Sequence, residues 1–372
     1  MNQYIIYIIG AFLLSALCGF LFIPQIIKFC RKKGLYDHPD FRKVHSRDIP
    51  RLGGLSFMPS MVLASLIMVM VYNQNYYAHE ITISSWSLTF FFSLLLIYGV
   101  GLVDDLVGLG AKTKFTVQTV AAIMMPISGL YINNLYGFLG IHELPFMIGA
   151  PLTVFVIIFA CNAINLIDGI DGLSAGLSFI ALTGFLVCFM CEDLYSYCIL
   201  IAGLLGVLVA FLYFNIWGKA SEGWKIFMGD SGSLTLGFIL GFLFVKFTMD
   251  NPNVRNFSLD SMALAYTLLI VPVFDVVRVS LIRLWHRKHI FQADKNHIHH
   301  KLMRAGLNQH QTLVCVLGLS LFFIVMNLLL NKVLYLSQIV VIDVVVWLLF
   351  HAVINHFVRS HGQSVFQENT ST

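Results

Sequence analysis

Apolar residues in this chain gather in long, nearly uninterrupted runs separated by short polar stretches. Water-facing strands would alternate in polarity, and water-facing helices would show one apolar stripe. A helix that crosses ~30 Å of hydrocarbon needs about 20 apolar residues. Runs approaching that length centre near residues 15, 63, 95, 124, 155, 182, 205, 242, 270, 321 and 347. They predict about eleven membrane helices, or ten if the short 117–131 run does not cross. The predicted fold class is all-α: a polytopic integral membrane helical bundle of 10–11 spans. Barrel strands would be shorter and would alternate, so a barrel is not expected. Residues 1–359 read as one transmembrane domain, and 360–372 as a polar cytoplasmic tail.

Composition strengthens this reading. Of 372 residues, 58% are apolar and 11% charged, with a mean hydropathy of +0.82; soluble domains carry roughly 25% charged residues. Too little polar surface is left to face water. The first run, Tyr4 to Ile27, has no basic residue before it and is long enough to span, so it reads as a retained helix. Seven scattered cysteines argue against a disulfide framework, and Cys188 and Cys191 read as packing residues because no second pair completes a zinc site. Nothing implies a nucleic-acid partner.

Net charge, +4, matters less than its placement. Lys28, Arg31, Lys32, Lys33, Arg42, Lys43, Arg47 and Arg51 follow the first run. Arg278, Arg283, Arg287, Lys288, Lys295, Lys301 and Arg304 follow the ninth. Lys112, Lys114, Lys219 and Lys225 lie in two further connections on the same side, whereas 73–85 and 131–146 hold no Lys or Arg. The positive-inside rule puts the basic loops in the cytoplasm, the N-terminus outside and, with eleven spans, the tail inside.

Acidic and amide residues border these runs: Asp104, Asp105, Asn162, Asn165, Asp168, Asp171, Asp230 and Asp275. A carboxylate at the bilayer centre costs about 2.5–3.5 kcal/mol on insertion scales, and the span assignment moves nearly all of them to one side, at helix ends. That convergence is the sequence argument for a site. Asp104 and Asp105, about 100° apart on a helix, allow one to face a cleft and the other a neighbour, or simply form a solvated helix end. Asn162, Asn165, Asp168 and Asp171 recur every third position, on one helical face, with Gly169 and Gly172 allowing a turn or a close approach. Four such residues exceed what a cap needs. Asp230, in Phe227-Met-Gly-Asp-Ser-Gly-Ser, suits either a helix cap or Mg²⁺, which takes one or two carboxylates plus phosphates. His297, His299 and His300 sit among Lys295, Lys301 and Arg304 in the last basic loop, as phosphate partners or as a solvated loop. The first basic loop ends in Pro50-Arg51-Leu-Gly53-Gly54, an ordered stretch expected close to a ligand. Asp343, deep in the last run, fits none of this: it suits an ion-coupled transporter better, or else pairs with a polar neighbour in the bundle.

Taken in order, the Arg42–Gly54 loop, Asp104-Asp105, Asn165-x-x-Asp168-Gly-x-Asp171-Gly, Phe227-Met-Gly-Asp230-x-Gly-Ser and His297-x-His299-His300 resemble the polyprenyl-phosphate N-acetylhexosamine-1-phosphate transferases. The histidine segment is most similar to the N-acetylglucosamine branch, although Phe291-Gln292-Ala293 stands where relatives often carry Pro. The resemblance implies transfer of a sugar 1-phosphate, N-acetylglucosamine by default, from a UDP-sugar to undecaprenyl phosphate with release of UMP. It implies a homodimer in a bacterial inner membrane, with the site at the cytoplasmic surface, starting a cell-envelope polysaccharide such as O-antigen. Asp230 would ligate Mg²⁺ or Mn²⁺, Phe227 would seat the uracil, and Asn165 and Asp168 would line the nucleotide-sugar site. Lys114 would approach the diphosphate, and Arg42, Lys43, His45 and Arg51 would bind substrate. Asp104 or Asp105 would act as base or as organiser of the lipid phosphate, with Asp168, Asp171 and the three histidines in the catalytic set. The competing class is an ion-coupled transporter, which would place ionisable groups mid-membrane in related halves; no internal repeat is visible.

The chemistry is consistent with such a set. Both substrates are anions, and two unit charges 4 Å apart repel by about 4 kcal/mol at an effective dielectric of 20. Carboxylates are needed to hold a divalent ion, and cations to hold phosphates. A phosphate monoester, with a second pKa near 6, is already largely dianionic at neutral pH, so positioning is expected to matter more than proton removal.

Overall fold

The computed structural model describes residues 2–37, 48–75, 85–251, 258–287 and 296–370. Arg42, Lys43 and His45 lie outside the described residues. Twelve helices are present among those described: α1 (Asn2–Lys33), α2 (Phe57–Asn75), α3 (Ser85–Val107), α4 (Ala111–Ile127), α5 (Phe146–Ile167), α6 (Leu173–Cys191), α7 (Tyr195–Leu212), α8 (Gly229–Thr248), α9 (Ser261–Trp285), α10 (Ile298–Arg304), α11 (Gln309–Leu330) and α12 (Leu336–Thr370). Two small antiparallel pairs join them, β1 (Tyr36–Asp37) with β2 (Ile49–Pro50), and β3 (Asn134–Phe138) with β4 (Ile141–Glu143).

Nine of these helices are long and apolar enough to cross a membrane, and α9 makes a tenth, bent by 69° between Leu268 and Ile270. The bend has a covalent cause: Pro272 has no N–H to give the Leu268 carbonyl one turn earlier. At 17 residues α4 is about 25 Å long, short of the hydrocarbon by itself. It nevertheless connects the two ends of the bundle. Its first turn carries Lys114, which meets Asp104 and Asp230 at one end, and the β3–β4 hairpin after it bonds to the far end of α8 through Tyr136 and the Thr248 carbonyl. Among the described residues these ten helices and α4 make eleven passages between the two ends, the larger of the two counts the apolar runs allow, with α10 as a short extra helix.

The far end is fixed by aromatic and amide contacts. The Tyr72 hydroxyl bonds that of Tyr4, which stacks on Tyr195, joining α1, α2 and α7; the Leu139 N–H of the hairpin donates to Ser337 at the start of α12. At the centre stands α8, buried at every residue from Ser231 to Thr248. Between helices in lipid, close backbone approach replaces hydrophobic drive. Gly237 and Gly241 supply it: a Cβ on Gly237 would lie 2.5 Å from the Cys161 Cα of α5, and one on Gly241 would lie 3.1 Å from that of Ile157. Apolar side chains such as Ile6, Leu13, Phe92, Val325 and Leu349 point outward, as lipid contact requires.

Asp343 does pair within the bundle. Asn327 of α11 donates to its carboxylate (3.0 Å) and to the Thr267 hydroxyl of α9 (3.1 Å).

Candidate active site

The candidate residues come together at the end of the bundle that carries Arg31, Lys32 and Lys33. A cavity of about 370 Å³ there is lined by Arg51, Asp104, Asp105, Asn165, Asp168, Asp171, Phe227, Asp230 and His300, together with Asp37 and Gln309. Separate chain segments, those of Arg51, Asp104–Asp105, Asn165–Asp171, Phe227–Asp230 and His300, contribute to this wall, and each is held by its own local structure.

Asp104 and Asp105 diverge, as adjacent helical residues must. Asp105 is 4% exposed and turns into the protein, where its oxygens accept from the backbone N–H groups of Asp230 (2.8 Å) and Ser231 (2.9 Å). These are orphan donors at the start of α8, so Asp105 fixes the helix that bears Asp230. Asp104 accepts from the Leu109 N–H (2.6 Å) and from Lys114 Nζ (3.2 Å). The same ammonium lies 2.7 Å from Asp230 Oδ2, while Asn165 Nδ2 donates to Asp230 Oδ1 (3.1 Å) and to Ser233 Oγ (2.8 Å). One positive centre thus spans two carboxylates.

The Gly-Gly of the first loop has a different cause from the one its sequence suggests. Gly53 and Gly54 donate to the Phe227 and Met228 carbonyls (2.8 Å each), and Phe227 N–H donates to Pro50. A Cβ on Gly54 would fall 2.1 Å from the Gly232 nitrogen, and one on Gly53 would fall 2.6 Å from the Phe227 carbonyl oxygen. The glycines admit neighbouring backbone rather than a ligand. By this pairing Arg51 and Phe227 are delivered to the same wall, and Arg51 Nε has no partner among the described residues.

The every-third-residue segment is not one helix. Its helix stops at Ile167, and Asp168 to Gly172 form a turn that closes with Gly172 in the left-handed region (φ +75°). Asn162 faces the bundle and bonds Gln118, away from the cavity (2.8 Å). Asn165, Asp168 and Asp171 do reach it. Two residues unnoticed as site parts in the sequence hold this turn. Asn215 accepts from the Gly172 N–H (2.6 Å), and Lys225, read only as a basic anchor, pairs with Asp171 (2.8 Å). A lone Asn inside the apolar run Tyr213–Trp217 was the available signal. Protein surrounding the cavity, with Asp230, Asp171 and Asp105, pushes Asp168 up to about 8, although its side chain opens onto the cavity.

The histidines separate as well. His300 lines the cavity. His299 is 1% exposed, its ring against Gly169, where a Cβ would lie 2.1 Å from Nε2. Burial, then His300, lowers His299 to about 3, so it is neutral at physiological pH. His297 is turned away onto Asp275 (2.8 Å). Next to them, burial and the positive charges of Arg278 and Arg304 lower Lys301 to about 8.

Six carboxylates, those of Asp37, Asp104, Asp105, Asp168, Asp171 and Asp230, line the cavity against Arg51 and the paired Lys114 and Lys225. Such a wall repels phosphates unless further cations enter. Among the described residues no three His, Cys, Asp or Glu side chains form a ready coordination shell. Zinc requires one, whereas Mg²⁺ takes one or two carboxylates and completes its octahedron with water and phosphate oxygen. Asp230 and Asp104, already sharing one cation, fit Mg²⁺ on that ground.

Residues 86–248, which include α3 through α8, match glycosyl transferase family 4. Over 361 residues the chain is 30% identical to the "probable undecaprenyl-phosphate N-acetylglucosaminyl 1-phosphate transferase" of Bacillus subtilis, covering 94% of this chain and 92% of that one. It is 30% identical to the undecaprenyl-phosphate alpha-N-acetylglucosaminyl 1-phosphate transferases of Yersinia pestis, over 80% of this chain and 77% of the relative, and of Escherichia coli K12, over 83% and 79%. At that identity, over nearly the whole of both chains for the Bacillus subtilis relative, the chain belongs to the polyprenyl-phosphate N-acetylhexosamine-1-phosphate transferase family.

Proposed function

We propose that this chain transfers N-acetylglucosamine 1-phosphate from UDP-N-acetylglucosamine to undecaprenyl phosphate, with release of UMP, at the cytoplasmic face of a bacterial inner membrane. The observation that carries the reading is the Asp104–Lys114–Asp230 bridge in an open cavity at the ends of membrane helices. One substrate is water-soluble and the other keeps its phosphate at headgroup depth, so a site at the membrane surface can meet both. The positive-inside rule supports the cytoplasmic side, because the basic ends of α1, α4 and α9 lie around the cavity and the 131–146 connection holds no Lys or Arg.

In this reading an oxygen of the lipid phosphate attacks the sugar-bearing phosphorus, and the bond from that phosphorus to the UMP oxygen breaks. Mg²⁺ held by Asp230, with Asp104 beside it, would supply charge neutralisation for the diphosphate. Lys114 holds the two carboxylates in register and offers its ammonium to the diphosphate. Arg51, whose side chain lines the cavity, supplies a cation for a phosphate oxygen. Phe227 offers a flat apolar face for the uracil, and His300 a donor near Asp168 and Asp171 at the sugar end. Asp105 works indirectly, by holding Asp230. A homodimer, and a role in starting a cell-envelope polysaccharide such as O-antigen, belong to the same proposal on the family resemblance.

The test is incubation of purified protein with labelled UDP-N-acetylglucosamine, undecaprenyl phosphate and Mg²⁺. Labelled lipid with UMP, abolished by EDTA, is the expected result. Release of UDP, or no lipid product, overturns the reading. Light scattering in nanodiscs checks the dimer.

A further inference from the structure

The ninth membrane helix carries a carboxylate that the cavity does not use. Asp275 is wholly buried. One oxygen accepts from Arg278 Nη2 (2.8 Å) and from the Ile298 N–H (3.0 Å), and the other accepts from His297 Nδ1 (2.8 Å). The same Arg278 nitrogen donates to the Asn296 carbonyl. Three successive residues, 296 to 298, are thereby tied to one turn of α9.

Directly after that tie comes α10, seven residues long and without a side-chain cap of its own. A helix so short does not hold its place by propensity, so its contacts must place it. Asp275 meets one of its orphan N–H groups from another helix. On the other flank the His299 ring presses on Gly169, in the turn between Asp168 and Asp171. The rings of His297 and His299 are nearly parallel at 6.0 Å, and those of His299 and His300 lie 4.2 Å apart. The short helix is therefore held between Asp275 and the acidic turn, and its cavity-facing ring is His300.

We propose that Asp275 is a positioning residue for the transfer reaction: by fixing His297 and the first turn of α10, it sets where His300 stands in the cavity. His297 then serves position rather than contact with substrate. The proposal rests on the transferase reading above.

Full-length wild type, Asp275→Asn, His300→Ala and the double variant are compared in nanodiscs by UMP release. Asp275→Asn is expected to lower kcat by about 10- to 100-fold, the scale for removing an outer partner of a functional histidine. Its KM for undecaprenyl phosphate should stay within about threefold, as for a group that does not bind ground-state lipid. The double variant should be no slower than His300→Ala by more than about twofold, because the two losses share one route. Losses that multiply, or a wild-type kcat for Asp275→Asn, overturn the proposal. If Asp275→Asn does not fold, His297 decides. His297→Asn, whose amide can donate to the same carboxylate, should keep kcat within about threefold of wild type, while His297→Ala falls like a lost partner. Equal losses in the two overturn it. A wild type that releases no UMP sinks the transferase reading and this one with it, whereas an active wild type with unaffected variants sinks this one alone.

Discussion

Two corners of the molecule use the same device for different loads. At the α3–α8 corner, Asp105 accepts from the first N–H groups of α8 and so steadies Asp230. At the α9–α10 corner, Asp275 accepts from the Ile298 N–H and so steadies His300. The supported helices differ: α8 has twenty residues, buried along nearly its whole length, and α10 has seven. Close glycine approach also locates α8, since a Cβ on Gly101 would sit 2.6 Å from the Ser231 Cα. A carboxylate under a long, buried helix reinforces a position that packing already sets. Under a short helix, it sets the position. The two corners should therefore fail differently when disturbed.

The largest effect expected is at Asp230 itself, which in the proposed function would hold the metal rather than support a helix. Asp230→Asn keeps the shape and removes the charge, and turnover at limiting Mg²⁺ should fall by about 10³-fold, several kcal/mol of transition-state stabilisation. The thermal midpoint should barely move. A folded variant with wild-type UMP release would remove the metal role from this corner.

Asp105→Ala should reverse that signature. It leaves two backbone N–H groups without acceptors, at about 1–3 kcal/mol each, so stability falls first and turnover falls with it. Asp105→Asn retains one accepting oxygen and should recover part of the loss. Thermal melts in detergent, read beside UMP release, separate the two carboxylates. If Asp105→Ala lost turnover with an unchanged melt, Asp105 would belong to the reacting group rather than to the scaffold.

This difference also marks what sequence can and cannot reveal. Eleven apolar runs predict eleven passages, because span length is a local property set by bilayer thickness. Even the short 117–131 run is real, though its helix stops at Ile127. The gathering of Asp104, Asn165, Asp168, Asp171 and Asp230 was visible too, since helix ends on one side must share a depth. Partners across space were not. Gly53 and Gly54 answer to a segment about 170 residues later, Asn162 to Gln118, and His297 to Asp275. Periodicity put the Asn162–Asp171 residues on one helical face, whereas the helix ends at Ile167 and the turn that the glycines allow closes at left-handed Gly172, ahead of α6.

A smaller effect is expected from titration. Asp168 stands at about 8 against an ordinary value of 3.8. Between those values the folded chain keeps a proton that the unfolded chain has released, so stability falls as pH rises through that window. In EDTA the thermal midpoint should drop by about 2 °C from about pH 5 to about pH 8, a modest shift because the side chain opens onto water. Mg²⁺ should flatten the slope by favouring the ionised form. A midpoint that rises with pH in EDTA would show that Asp168 is ionised without help.

The smallest effect separates the cavity from the middle of the bundle. Asp343 is a carboxylate too, wholly buried, yet it is absent from the cavity wall, and its partner Asn327 bonds Thr267. Intramembrane ionisable groups mark ion pathways by default, and a transporter would depend on this one. A transferase would not. Asp343→Asn can still accept from Asn327, and interhelical hydrogen bonds in membranes average about 0.6 kcal/mol, so UMP release should stay within about twofold of wild type and the melt should shift little. Loss of turnover in this variant would mean that reaction and mid-membrane charge are coupled, and the division between a reactive rim and an inert interior would fail. A wild-type rate would leave Asp343 as a knot that ties α9, α11 and α12 together, at a depth where no substrate phosphate has reason to go.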